Sequence, residues 1–261
     1  LLKYSIEEGI PVREKEWHTY EMTVNGLPQR VRYRMGTVEH LFLPLLRRLR
    51  ELQRRSGRRC IVFLAAPPAT GKTTLAQFLA QLSRTEEGLT PVQALGMDGF
   101  HYPNRYLAAH TILRDGEEIP LTSIKGAPET FDVPALAAKL SAAREESVTF
   151  PVYDRRIHDA VPDAVTADAP ILLVEGNWLL LDEEPWHVLR PLADYTLRID
   201  VPPALLRDRL IARKVQGGLS EAEARAFYET SDRRNVERFA AHAGAADEIW
   251  CMEADGDFVR V

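Results

Sequence analysis

Short runs of consecutive apolar residues alternate along this chain with longer stretches in which apolar positions recur every three or four residues. The short runs read as strands at 60–65, 92–97, 148–153, 170–175 and 194–200, with a weaker one at 247–252. The longer stretches read as helices at 72–83, 132–145, 202–214, 220–229 and 232–242. Ile171-Leu172-Leu173-Val174 has no polar face, as a strand covered on both sides requires. Strands and helices in alternation build βαβ units, and hence an α/β fold around a doubly wound, mostly parallel sheet. Ligands then bind at the carboxyl ends of the strands. Gly71, Asp98, Tyr153 and Glu175 are all expected just past such ends.

Ahead of this region the pattern differs. Residues 20–34 alternate about Asn25-Gly26, a two-residue turn signal, which predicts a β-hairpin with Met22, Val24, Val31 and Tyr33 facing inward. Val38 to Arg55 has helical spacing through Leu41, Leu45, Leu46, Leu49 and Leu52, with Pro44 within or between short turns. The chain divides accordingly into a hairpin-plus-helix appendage, 1–58, and a larger α/β domain, 59–261. Residues 20–55 are too apolar to bury their own face. They are expected to pack on the larger domain or to build a homodimer interface.

With 45% hydrophobic residues in 261, the chain can bury a full core, which excludes disorder as the default. A net charge of −5 argues against a nucleic-acid partner. Residues 1–60 do carry 13 Lys/Arg against 7 Asp/Glu, but a solvated helix face accounts for Arg47, Arg48, Arg50, Arg54 and Arg55. No run of about 18 apolar residues exists, so no membrane span is expected. The first eight residues lack a signal-peptide core, and two lone cysteines, Cys60 and Cys251, suit a reducing cytoplasm.

The candidate chemistry begins where strand 60–65 runs into Ala66-Pro67-Pro68-Ala69-Thr70-Gly71-Lys72-Thr73-Thr74 and a helix. That context identifies a phosphate loop, whose backbone N–H groups cradle a nucleotide's phosphates. Lys72 would reach the β- and γ-phosphates, and the Thr73 hydroxyl would bind Mg²⁺. Ala66 replaces the usual first glycine and Ala69 a frequent second one, and a Cβ at either place restricts φ > 0. Asp98 reads as a general base or a carboxylate on Mg²⁺ through water, although Asp98-Gly99 is also turn chemistry. His101 either contacts substrate or packs. Glu175, ending an apolar strand beside the loop, is placed to hold Mg²⁺ directly or through water, with a turn or helix-cap role as the alternative. Asp132 is a helix N-cap or a substrate contact. The polar stretch Pro151–Asp159, with Tyr153, Arg155 and His158, reads as substrate-binding. Arg207, Arg209, Arg213 and Lys214 share one helix ending at Gly217-Gly218, which suits a lid over about 205–235 that closes on phosphates.

Four segments in order, Asp98-Gly99-Phe100-His101, Lys125-Gly126-Ala127-Pro128-Glu129-Thr130-Phe131-Asp132, Pro151-Val152-Tyr153 and Glu175-Gly176, resemble the motifs of one phosphate-loop family. It contains phosphoribulokinase, uridine kinase and bacterial type I pantothenate kinase. Glu175 to Leu181 and the early hairpin are closer still to a bacterial subgroup labelled nucleoside kinase-like or fructose-transport-system kinases. The resemblance spans roughly residues 20–255. It implies an ATP-dependent, Mg²⁺-requiring kinase that phosphorylates a hydroxyl of a small metabolite such as a nucleoside, a sugar or a pantothenate-like compound. By it Asp98 is the base, Lys72, Thr73 and Glu175 serve ATP and Mg²⁺, and Arg209 and Arg213 are lid cations. Tyr153, His158 and Asn235 fall where pantothenate kinases place substrate contacts. The nucleoside-recognition residues of uridine kinases are not matched after Tyr153. The rival reading is a regulatory NTPase or a nucleotide-binding protein without kinase activity, which would need neither Asp98 nor the lid arginines.

Overall fold

The computed structural model describes residues 15–24, 26–114 and 116–261; the expectations for residues 1–8 and for Asn25 lie outside them. Trp17–Val24 (β1) and Leu27–Arg34 (β2) pair antiparallel as the expected hairpin. Met35–Thr37 (α1), a π turn at Val38–Phe42 and Leu43–Ser56 (α2) follow as one helical path. Pro44 sits in the first turn of α2, where its missing N–H costs little, so it does not break the path. The chain then lays down Cys60–Ala65 (β3), Lys72–Thr85 (α3), Val92–Gly96 (β4) and Asn104–Ala109 (α4). Thr111–Arg114 (β5) and Glu117–Pro120 (β6) make a hairpin, Val133–Ala143 (α5) follows, and Val148–Asp154 (β7) with Asp159–Ala167 (β8) makes another. Ile171–Gly176 (β9), Tyr195–Asp200 (β10), Pro203–Gln216 (α6), Glu221–Phe227 (α7), Arg233–His242 (α8), Glu248–Met252 (β11) and Phe258–Arg260 (β12) complete it.

The central sheet has six strands in the order β12-β11-β10-β3-β9-β4, parallel throughout except for β12 at the edge. The continuous apolar run of β3 follows from burial on both faces. Cys60, Val62 and Leu64 join a cluster with Leu45 and Leu49 of α2 and Phe78 of α3. Ile61, Phe63 and Ala65 join the opposite cluster with Leu136 and Leu140 of α5 and Trp178. Met22, Val24 and Tyr33 of the N-terminal hairpin belong to the first cluster, with the Tyr33 ring 4.5 Å from Phe78 and 5.1 Å from Phe42. Thr37 donates to Asp257 at 2.7 Å and Arg34 pairs with it at 3.4 Å, tying the hairpin's root to the β11–β12 turn. No helix of the described residues is long and apolar enough to cross a membrane.

Two expectations need correction. The 148–153 run does not join the parallel sheet. Among the described residues it lies in β7, paired only with β8, and a register shift between Phe150 and Val152 breaks its regular alternation, leaving Phe150 buried and Val152 exposed. Tyr153 and Glu175 lie inside their strands rather than past them. The expected helices 220–229 and 232–242 are joined by a π turn at Tyr228–Asp232.

Candidate active site

The loop between β3 and α3 is held from below. Ala66 N–H donates to the Gly176 carbonyl at 3.3 Å, and the buried Thr70 hydroxyl donates to the Pro67 carbonyl at 2.6 Å. Gly71 has φ 84°, which turns the chain into α3 and leaves the N–H groups of its first turn facing outward. Ala69 has φ 63°, in the left-handed region that an alanine enters at a cost of about 1–2 kcal/mol. The loop therefore adopts the glycine geometry despite the Cβ. Ala69→Gly is expected not to destabilise the ligand-free protein, whereas Gly71→Ala should cost about 1–2 kcal/mol, both read by denaturant titration. A loss of stability in Ala69→Gly equal to that of an ordinary Ala→Gly change would contradict the strained geometry.

Beside the loop, the Thr73 hydroxyl donates to Glu175 Oε1 at 2.7 Å. Glu175 is buried, and burial pushes its carboxyl above the ordinary range, helped by Asp98 and opposed by Lys72. A hydroxyl–carboxylate pair beside the loop suits Mg²⁺, which takes few protein ligands and keeps water and phosphate oxygens. Among the described residues no cluster of three or more His, Cys, Asp or Glu competes for a metal. A group whose folded pKa is raised loses stability as pH rises from its unfolded value of 4.5 toward the folded one. Glu175→Gln should therefore raise the ligand-free melting temperature at pH 7 and lose that advantage as pH falls toward 4.5. An unchanged melting temperature across that range would show that Glu175 carries no such penalty.

Asp98 lies in the 3-10 turn Met97–Phe100 at the end of β4. Gly99 is required there for space rather than for a positive φ, because a Cβ would meet the Pro151 carbonyl oxygen at 2.2 Å. The close approach of this turn to β7 sets Asp98 next to Tyr153. His101 is packed: its Nδ1 meets the Asp98 carbonyl at 2.8 Å and its ring lies 3.8 Å from Phe131 and 5.3 Å from Tyr153. Burial pushes this imidazole's pKa down, so it is neutral at pH 7.

One cavity of about 810 Å³ gathers most of the candidate residues. Pro68, Ala69 and Gly71 to Thr74 line it on one side, Asp98, His101, Tyr153 and Arg155 on another, and Arg209, Arg213 and Asn235 on a third. Ala66 is buried beneath the loop, and Pro67 and Thr70 shape it without lining the cavity. A smaller adjoining space of about 350 Å³ reaches Glu175 and shares Thr73, Asp98, Tyr153 and Arg155. His158 is not brought in. Its φ is 52°, its side chain is exposed, and only its carbonyl serves, accepting from Lys125 at 2.6 Å. Asp132 is the N-cap of α5, accepting from Ala135 N–H at 2.9 Å.

Five residues at the site were not among the expected ones. Lys125 lines the cavity, with Nζ 2.6 Å from Asn104 Oδ1 and 5.0 Å above the Tyr153 ring, and burial lowers its pKa. It was visible only as part of a motif. Asp232 is buried at the end of the π turn Tyr228–Asp232, where burial raises its carboxyl while Lys214 and Arg213 oppose, and among the described residues its Oδ2 has no hydrogen-bond partner. Val24, Leu27 and Gln29 reach the cavity from the hairpin, which no local signal could have announced. Helices α6 to α8 share a cluster of Leu206, Leu210, Ile211, Ala224, Tyr228 and Val236, with Ala69 of the loop packed against it. Arg238 of α8 bonds Glu129, in the turn before α5, at 2.6 Å and Glu183, in the segment between β9 and β10, at 3.1 Å.

A parallel α/β sheet whose central strand feeds a phosphate loop, with carboxylates from the two next strands beside it, defines the P-loop kinase class. Comparisons with known proteins agree. The chain is 44% identical over 239 residues to the uncharacterised protein YggC of Escherichia coli, covering 91% of this chain and 97% of that one. It is 30% identical over 183 residues to C227.14 of Schizosaccharomyces pombe, provisionally named a uridine kinase, covering 68% and 75%. A pantothenate kinase of Sodalis glossinidius is 31% identical over 204 residues, and the chain spans 60% of its length. The crystal structure of a protein from Silicibacter sp. TM1040, provisionally named a fructose transport system kinase, superposes with a TM-score of 0.72 at 32% identity, covering 82% of this chain and 98% of that one. No family model matches. The chain belongs to the P-loop kinases of the uridine kinase and pantothenate kinase type.

Proposed function

We propose that this protein is an ATP-dependent kinase that transfers the γ-phosphoryl group of ATP to a hydroxyl of a small metabolite. The observation that carries this reading is the convergence of Lys72, Thr73 and Asp98 on one cavity, with Glu175 hydrogen-bonded to Thr73 behind them. Backbone N–H groups of the loop and of the first turn of α3 hold the phosphates. Lys72 offsets charge that spreads over the transferred group, and Arg209 and Arg213 approach it from the lid. Thr73 and Glu175 would hold Mg²⁺, which would offset the negative charge of the phosphates. The acceptor oxygen attacks the γ-phosphorus, the bond to the β-phosphate oxygen breaks, and ADP departs. Asp98 receives the hydroxyl proton. Tyr153, Arg155, Lys125 and Asn235 line the acceptor side of the cavity, and the Lys125 ammonium over the Tyr153 ring gives that side a half-buried positive charge.

The test is a screen of nucleosides, pantothenate, sugars and sugar alcohols for acceptor-dependent release of ADP. Release that rises with one acceptor class supports the kinase. ATP hydrolysis indifferent to every acceptor would support a regulatory NTPase instead.

A further inference from the structure

Away from the phosphate loop, the wall of the large cavity holds a buried carboxylate with no partner. Asp232 ends the π turn Tyr228–Asp232 and is 8% exposed, yet it lines the cavity. Among the described residues no hydrogen bond or ion pair engages its carboxylate. A buried polar group left unpaired is costly, and on a cavity wall a ligand can satisfy it. The neighbouring cations do not. Lys214 Nζ sits 3.6 Å from the centroid of the Phe227 ring, and Arg213 makes no ion pair among the described residues. Both act on Asp232 only at a distance, favouring its ionised form while burial opposes it.

The surroundings restrict what this carboxylate can take. Arg213 and Lys214 line the same cavity, and their charge disfavours a cationic ligand group beside them. The carboxylate itself disfavours a phosphate. A neutral hydrogen-bond donor fits, and a hydroxyl is the simplest. Asn235 stands three residues further on. Asp232 already has helical backbone where α8 begins, so the two side chains share a face, and both line the cavity. An ionised carboxylate accepts through two oxygens, and a carboxamide both donates and accepts. Together they match two adjacent hydroxyls. We propose that Asp232 and Asn235 form a diol-binding site on this wall of the cavity, holding a pair of neighbouring hydroxyls of a bound substrate. Such a diol belongs either to the ribose of the nucleotide or to a sugar, polyol or nucleoside acceptor. The proposal rests on the kinase reading above and adds the chemical group that this wall recognises.

The experiment measures discrimination between hydroxylated and deoxygenated probes in wild type, Asp232→Ala and Asn235→Ala. In the donor arm, calorimetry compares the Mg²⁺ complexes of ATP and of dideoxy-ATP, which lacks both ribose hydroxyls. In the acceptor arm, ADP release gives kcat/KM for ribose against deoxyribose, glucose against deoxyglucose and uridine against deoxyuridine. In one arm wild type should favour the hydroxylated probe by about ten- to hundredfold, the worth of a hydrogen bond to a charged group. Asp232→Ala should cut that preference to within about threefold, and Asn235→Ala should cut it in part. A ratio is unmoved by any general change in phosphate affinity that follows loss of the charge beside Arg213 and Lys214. The arm that responds identifies the source of the diol. A wild-type preference absent from both arms, or left intact by both variants, would overturn the proposal while the kinase reading stands. Variants that weaken both members of every pair equally would show a structural role only and would also overturn it. Wild type that bound neither ATP nor dideoxy-ATP would overturn the kinase reading and this proposal together. Asp232→Ala removes a buried carboxylate that has no partner, so a thermal melt should show the variant folded.

Discussion

Asp98→Asn is expected to leave ATP affinity nearly intact while turnover falls by about 10²–10⁴-fold, the usual contribution of a positioned general base. Among the described residues no hydrogen bond or ion pair engages the Asp98 carboxylate, which stands on the rim of both spaces. It is therefore free to take a proton from an acceptor hydroxyl. The competing role is to hold Mg²⁺ alongside Glu175. That role gives a different result: weaker metal-nucleotide binding, with turnover partly restored at high Mg²⁺. Measuring ATP affinity and turnover across a Mg²⁺ series separates the two. Turnover that recovers with metal would reassign Asp98 to the metal site, and unchanged turnover would remove it from the mechanism.

Lys72→Ala is expected to lower phosphoryl transfer by at least about 10²–10³-fold, the loss that follows removal of one preorganised charge at a transition state. Lys72 opens α3 with its side chain half-buried in the cavity and no place in either sheet-face core cluster, so the variant should remain folded. Circular dichroism and a thermal melt check the fold, and ADP release checks the transfer. Wild-type turnover in a folded variant would sink the phosphate-loop reading.

What could be read from the sequence was local. The run Cys60 to Ala65 leading into Gly71-Lys72-Thr73 announces strand, loop and helix in one stretch, and β3 and α3 form there. The strong alternation about Gly26 announces the hairpin. Ala69 adopts a positive φ that its side chain argues against, because its packing against the α6–α8 cluster outweighs the local preference. Tertiary relations were not legible. The β7–β8 hairpin looked like another parallel strand because an apolar run does not reveal whether one face or two will be covered. The reason for Gly99 became visible only with β7 beside it. The reach of Leu27 and Gln29 into the cavity depends on how a hairpin 40 residues earlier lies across α3. Lys125 and Asp232 lack any sequence signal of burial, and polar residues at such positions are found only when the surrounding elements close over them.

The most direct measurement follows the γ-phosphorus of ATP by phosphorus NMR in the presence of an acceptor that stimulates ADP release. A phosphate monoester resonance should grow in step with ADP, and it should be lost in Asp98→Asn at unchanged ATP affinity. Inorganic phosphate as the sole product, at a rate the acceptor does not alter, would contradict phosphoryl transfer to a metabolite.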